Sequence, residues 1–308
     1  MKIINTIEHL SRETEKQHIK SRLALVASED VAAIKSVIKA SKRNIIEPVF
    51  IGDKKKIMKL CRVNNIDIAR YEIVDETDPA GSAYRAVKLY KTGHIHMIMK
   101  GLINTRALLK VILDKDRGDP PDGILSHVGV CYIPWYKKLL LLTDAGVNVS
   151  PNLHRKVEII KNAVDLARTL GIKCPKVAMV AAVESVNLPA MPATLDAKLL
   201  SRMSNSGLFK NVFIGGPFAL DNALSKKAAN YKGIKHPVAG DADILCVPDI
   251  ECGNILYKAI SVIAGHQIGG IVIGSNIPLV VASRSDPDKA KFLSIVLGAY
   301  YAHMHRKN

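Results

Sequence analysis

Short apolar runs alternate with segments of helical periodicity almost from one end of this chain to the other. Leu23-Ala-Leu-Val-Ala27 precedes Val31 to Ala40, and Pro48-Val-Phe-Ile-Gly52 precedes Lys54 to Val63. Tyr71-Glu-Ile-Val74 precedes Ala80 to Tyr90, and His96-Met-Ile-Met99 precedes Thr105 to Leu113. A strand that is followed by a helix before the next strand cannot pair through a tight hairpin. The pattern therefore predicts parallel strands covered on both faces by helices. Aromatic residues make up only 5% of a chain that is 48% hydrophobic, so the core must be built from Val, Ile, Leu and Ala, as buried parallel sheets are.

The alternation is interrupted once. Asp114 to Gly123 reads DKDRGDPPDG, charged and turn-forming. Two apolar runs follow, Val128 to Ile133 and Leu139 to Thr143, separated by Pro134-Trp-Tyr-Lys-Lys138. This predicts a hairpin, placed where it would join two domains. Ser150 then suits a helix N-cap, Pro151 the first helical position and Gly171 the stop, around a stripe of Leu153, Val157, Ile160, Val164, Ala167 and Leu170. Further on, strands are expected at Val177 to Ala182, Val212 to Ile214, Ile244 to Val247, Ile271 to Ile273 and Leu279 to Ala282. Helices are expected at Asp196 to Met203, Ala219 to Ala229, Asn254 to Ala264 and from about Pro287 onward. With 308 residues, two α/β lobes with a cleft between them are the natural architecture.

The formal net charge is +16, spread in short clusters such as Lys54-Lys-Lys56, Lys137-Lys138 and Lys226-Lys227. No zinc-finger spacing, basic zipper or RNA-binding aromatic motif accompanies it, so no nucleic-acid partner is expected. A positive field suits a polyanionic small ligand. The five cysteines, Cys61, Cys131, Cys174, Cys246 and Cys252, form no CxxC pair, which predicts reduced thiols in a cytoplasmic protein and no metal site. The apolar stretches are broken by Asn, Pro or Gly and fall short of a membrane span, and Met1 to Gln17 has no apolar signal region.

Two segments carry the chemistry. Gly240-Asp-Ala-Asp-Ile-Leu-Cys-Val-Pro-Asp-Ile-Glu-Cys-Gly-Asn254 and Gly269-Gly-Ile-Val-Ile-Gly-Ser-Asn-Ile-Pro-Leu-Val-Val-Ala-Ser-Arg-Ser-Asp286 each read as a buried strand ending in a polar turn. The first is expected to open a helix at Gly253-Asn254; the second places Ser283 and Arg284 at a strand end. A hydroxyl, a guanidinium and a helix N-terminus together suit an anion. Lys100 and Thr105 bracket another strand-end turn suited to phosphate. Asp144 follows an apolar strand, where it either hydrogen-bonds the turn or lines the cleft. Cys131 lies in an apolar strand and His154 on the first turn of a helix, and no Gly-x-Ser-x-Gly elbow occurs, so neither these nor His127 suggests a nucleophile with a base. The GxGxxG and GxxxxGK[ST] nucleotide motifs are absent too.

The order of motifs resembles the phosphate acetyltransferase/butyryltransferase family. The likeness runs through Lys100-Gly-Leu-Ile-Asn-Thr105, Thr143-Asp-Ala-Gly-Val-Asn148, Ala182-Val-Glu-Ser-Val-Asn187, Met191-Pro-Ala-Thr-Leu-Asp196, Gly216-Pro-Phe-Ala-Leu-Asp221 and the two C-terminal segments. The Met-Pro-Ala-Thr stretch and the length look most like the butyryltransferase branch. The resemblance implies two three-layer α/β/α lobes with a central cleft, as in isocitrate and isopropylmalate dehydrogenases. It implies one lobe from 1–132 plus 273–308, an inserted lobe from 133–272, and a homodimer or larger assembly. It also implies exchange of the coenzyme A of a short acyl-CoA, butyryl-CoA first, for inorganic phosphate in a ternary complex, with no permanently bound cofactor.

On that resemblance Ser283 and Arg284 match the family's Ser-Arg pair, proposed for intermediate stabilisation and phosphate binding. The catalytic Asp of the acetyltransferases does not align without adjustment. Asp286, Asp288 and Asp144 are the candidates, and Asp286 before Pro287 equally fits an N-cap. Lys100, Thr105, Asp144 and Asn254 are the expected substrate contacts. Two other readings share this pattern: a phosphate acyltransferase fed by acyl carrier protein, and a non-catalytic module that binds CoA or acyl phosphate.

Overall fold

The computed structural model describes residues 3–16, 21–207, 209–283 and 286–306. In chain order the elements are α1 (Ile7–Lys16), β1 (Ser21–Val26), α2 (Val31–Lys42), β2 (Ile46–Gly52), α3 (Lys54–Val63), β3 (Glu72–Asp75), α4 (Pro79–Lys91), β4 (Met97–Lys100), α5 (Thr105–Ile112), β5 (Ser126–Tyr132) and β6 (Leu139–Thr143). There follow α6 (Leu153–Thr169), β7 (Lys176–Val180), α7 (Pro192–Asn205), β8 (Phe213–Phe218), α8 (Leu220–Leu224), α9 (Lys226–Tyr231), β9 (Ile244–Cys246), α10 (Ile250–Lys258), β10 (Ile268–Ile273), β11 (Leu279–Val280) and α11 (Asp288–Arg306). A π-helical turn, Ala259–Ile263, extends α10. Among the described residues, one compact unit draws on the segments 8–123 and 269–308, the other on 1–7 and 124–268.

In the first unit the strands lie in the order β3-β2-β1-β4-β11-β10. All pair in parallel except β10, which runs antiparallel to β11. The chain builds outward from β1 to β3 and then returns to the other side of β1 with β4, so the strand order reverses between β1 and β4. Ligands of open α/β sheets bind at the carboxyl ends of the strands at such a point. The helices start where the sequence puts Asp or Asn after a strand. Asp30 accepts from Ala32 N–H and Ala33 N–H, Asp53 from Lys56 N–H, Asp78 from Gly81 N–H and Asn104 from Arg106 N–H. Each such cap contributes about 1 kcal/mol. Helix α2 packs on α11 and α4 on α5. Leu23, Leu25, Phe50, Ile51, Ile98 and Ile295 are inaccessible at the centre, with Tyr300 2% exposed.

The second unit has the order β5-β6-β9-β7-β8. The expected hairpin is present as antiparallel β5 and β6, with Val128 opposite Thr143, and β6, β9, β7 and β8 are parallel. Its core gathers Leu140, Leu142, Ala178, Phe218, Leu245 and Tyr257. At the amino ends of the strands Lys138 donates to Asp241 and Asp243, and Lys176 to Asp241. Burial pushes Asp241 up, but the two lysines outweigh it and hold the carboxyl below its ordinary range.

Mixed α/β architecture is thus found as expected, with local corrections. Helix α6 is capped by Asn152, whose side chain accepts from Arg155 N–H at 3.0 Å, so Ser150 and Pro151 lie before the helix. Gly171, at φ +94°, does stop it. Residues 219–229 form two helices, because Ser225 is extended and caps the second. Helix α10 starts at Ile250, since Asp249 accepts from Cys252 N–H at 2.9 Å, which moves the start upstream of Gly253-Asn254. Helix α1 was not expected. No described helix is long and apolar enough to cross a membrane.

Candidate active site

In the first unit β1, β4 and β11 lie side by side, with Val26 opposite Lys100 and Val280 opposite Met99. Their carboxyl ends therefore meet where the strand order reverses. Beyond β4, Gly101 N–H donates to Val26 O at 2.9 Å and Leu102 N–H to Ala27 O at 2.8 Å. A Cβ on Gly101 would stand 2.4 Å from Ala27 O and 2.6 Å from Val26 O, so only glycine lets the two loops close in. Lys100 folds its ammonium over this loop, donating to Gly101 O at 3.4 Å and Ile103 O at 3.3 Å. Thr105 is the first residue of α5, behind the Asn104 cap and partly exposed.

Ser283 follows β11 and is exposed. Its N–H donates to Asp286 Oδ2 at 2.8 Å, and Asp286 N–H donates back to Ser283 O at 3.1 Å. Asp286 is buried, and Lys291, only 3% exposed, donates from Nζ to the Asp286 carbonyl. Asp288 is the exposed first residue of α11, where a negative charge suits the helix dipole. Arg284 lies outside the described residues.

In the second unit Asp144 follows β6 and is 3% exposed. Its Oδ1 accepts from Gly146 N–H at 2.8 Å and Val147 N–H at 2.9 Å. Its Oδ2 accepts from Asn148 N–H at 3.2 Å and Asn148 Nδ2 at 2.7 Å. Asn148 Nδ2 also reaches Leu125 O at 2.8 Å, and Arg155 donates to Asn148 Oδ1 at 3.0 Å. Asp144 thus organises the turn of its own motif. Gly253 packs on it closely: a Cβ there would lie 2.4 Å from Asp144 O. Gly253 N–H is spent inside α10 on Asp249 O, so this residue offers no end-of-helix donor. Asn254 is exposed, with its amide 3.4 Å from Ala145 O.

Other motif residues do internal work. Thr194 Oγ1 accepts from Asn187 N–H at 2.9 Å and donates to Met191 O at 2.6 Å, which shapes the loop before α7. Glu184 accepts from Asn222 Nδ2 and Lys232 Nζ, both at 2.5 Å, and the Lys232 bond holds its carboxyl below the ordinary range. His127 is buried edge-on against Tyr257, with ring centroids 5.7 Å apart, and His154 is exposed. Burial pushes the Cys131 and Cys246 thiols up to about 12, far from thiolate chemistry. Sequence reasoning missed Asn148, Arg155 and Lys291. A lysine inside the apolar stretch Ala290-Lys-Phe-Leu293 was the available signal for Lys291.

The family model described as phosphate acetyl/butaryl transferase matches residues 80–299. The chain belongs to this family. It is 40% identical over 281 residues to a phosphate butyryltransferase of Clostridium beijerinckii, covering 91% of this chain and 93% of the relative. It is 38% identical over 281 residues to a phosphate acetyltransferase of Thermotoga maritima, covering 91% and 95%. The crystal structure of a branched-chain phosphotransacylase from Enterococcus faecalis V583 superposes with a TM-score of 0.80 at 31% identity, over 92% of this chain and 99% of that one. The chain is accordingly an enzyme, a phosphate acyltransferase.

Proposed function

We propose that this enzyme transfers a short acyl group, butyryl in preference to acetyl, from coenzyme A to inorganic phosphate, giving acyl phosphate and free CoA. The observation that carries the reading is the exposed residue Ser283, three residues beyond β11, which pairs with the strand that ends in Lys100. The butyryltransferase and branched-chain relatives support the acyl preference.

A phosphate oxygen attacks the thioester carbonyl, the carbonyl oxygen takes up negative charge, and the carbon–sulfur bond breaks to release the thiolate. Arg284 holds the phosphate, because its planar fork matches two phosphate oxygens. Ser283 donates to the developing oxyanion, an interaction strongest in the transition state. Lys100 and Thr105 bind substrate phosphate groups, and Asn254 contributes its side-chain amide. Asp286 positions the Ser283 turn. A CoA thiolate, with an ordinary pKa near about 8.5, leaves without an acid. Free thiols support a reducing, cytoplasmic setting. The exposed apolar Ile255, Val262 and Ile263 on α10 and its extension support a homodimer or larger assembly.

The test is phosphate-dependent thiol release from a panel of acyl-CoAs. We expect kcat/KM for butyryl-CoA to exceed that for acetyl-CoA about tenfold, the scale of methylene discrimination in an apolar pocket. An equal or higher value for acetyl-CoA overturns the acyl assignment, and release that ignores phosphate overturns the reaction.

A further inference from the structure

The first unit carries a cavity at the amino ends of its parallel strands. Its volume is about 220 Å³, and Tyr90, His96, Asn276, Tyr301, His305 and Arg306 line it. His96 stands just before β4, and Asn276 stands in the loop that leads into β11. These are the strands that end near Lys100 and Ser283, so the cavity and the candidate site occupy opposite ends of one sheet.

The donors in this cavity point to an anion. Arg306 donates from Nε to Ala302 O at 3.3 Å and from a terminal nitrogen to Ser21 Oγ at 3.1 Å. Among the described residues no carboxylate forms an ion pair with it. The nearby carboxylate, Asp119, is held by a lining residue: it accepts from Asn276 N–H at 3.0 Å and Asn276 Nδ2 at 3.3 Å. His96 Nδ1 accepts from Arg22 N–H at 2.8 Å, which puts the ring proton on Nε2. Burial, then Arg306 and Arg22, pull His96 down to about 4, so the ring is a neutral N–H donor. Tyr90 donates to Asn276 O at 2.7 Å, and Tyr301 stacks on His305 with centroids 4.1 Å apart. A guanidinium that no described carboxylate pairs with, beside an imidazole N–H and between aromatic walls, is a setting a cation would avoid and an oxyanion would fill.

We propose that this cavity is a binding site for a small oxyanion, a phosphate or carboxylate metabolite, separate from the transfer site. Its size holds a ligand no larger than a few carbons around the charged group. The ligand accepts from the Arg306 fork and from His96 Nε2.

The experiment follows the His96 ring resonances by NMR at neutral pH, assigned with His96→Gln, at constant ionic strength. Orthophosphate and butyrate are titrated separately into wild-type protein, Ser283→Ala and Arg306→Gln. We expect a saturable millimolar response of His96 to at least one anion, retained in Ser283→Ala and weakened about tenfold or more in Arg306→Gln. Which anion responds tells phosphate from carboxylate. Absence of a response to both anions in the wild-type protein overturns the site, whatever the variants do. An equal response in a folded Arg306→Gln overturns it too. Since Ser283→Ala reports the transfer site separately, loss of one reading leaves the other standing.

Discussion

Asp286 and Ser283 are joined twice, by Ser283 N–H to Asp286 Oδ2 at 2.8 Å and by Asp286 N–H to Ser283 O at 3.1 Å. The residue is buried and its Oδ2 accepts from backbone, while a general base must reach a proton on the substrate. The pair ties the segment that follows β11 to the residues that precede α11, and Lys291 secures the Asp286 carbonyl from inside the helix. We propose on this ground that Asp286 positions the Ser283 segment.

Asp286→Asn keeps an acceptor for Ser283 N–H and has no basicity. It should retain kcat/KM within about threefold, whereas Asp286→Ala should lose about tenfold or more and about 1–3 kcal/mol of stability, the scale of a buried donor left unpaired. Steady-state kinetics with thermal melts decide. An Asn variant as inactive as Ala at unchanged Tm makes Asp286 the base.

Asp144 accepts bonds from Gly146, Val147 and both Asn148 donors, so its loss strands the buried Asn148 N–H and undoes the turn around it. Asp144→Ala should cost about 3 kcal/mol or more and lower Tm by several degrees in calorimetry. A variant with wild-type Tm and no activity would instead place Asp144 in the chemistry.

Much of this was legible in the sequence because strand-end chemistry is local. Apolar runs followed by helical periodicity announced strand and helix, and the hairpin of β5 and β6 followed from two apolar runs around a turn. Lys100 ends β4 and Thr105 opens α5, whereas β11 stops at Val280 rather than Ala282, so Ser283 lies three residues beyond it. What escaped depended on which of two adjacent polar residues won a cap. Asn152 prevailed over Ser150, and Asp249 displaced the helix start expected at Gly253. Partners across distance, such as Lys291 under Asp286 or Arg155 on Asn148, have no periodicity to announce them. Whether Asp144 serves a turn or a cleft depends on hydrogen bonds that spacing does not encode.

Gly101→Ala tests the closeness of the loops after β1 and β4. Its Cβ would meet backbone oxygen at 2.4 Å, which flexible side chains cannot relieve. The variant should lose about 1–3 kcal/mol, as overpacked sites do, with activity falling alongside. Unchanged Tm and turnover would show that the loops part freely.

Thiol chemistry should be silent. Cys61, Cys131 and Cys246 are buried, and Cys174 and Cys252 are exposed. Iodoacetamide on the native protein should label the two exposed thiols and leave the three buried ones intact by peptide mass mapping. After incubation with labelled acyl-CoA, denatured protein should carry no acyl group. A stable acyl-cysteine would replace direct attack by a covalent route.

The most direct test of the account is the phosphate dependence of Arg284 and Ser283 variants, measured with butyryl-CoA and checked by thermal melts. Arg284→Lys keeps the charge and loses the fork, so kcat/KM for phosphate should fall about tenfold or more, and Arg284→Ala further, at wild-type Tm. Ser283→Ala should lower kcat more than it raises KM, since its hydroxyl acts in the transition state. Near-wild-type kcat/KM for phosphate in both Arg284 variants would contradict the claim that this Ser-Arg pair carries the transfer.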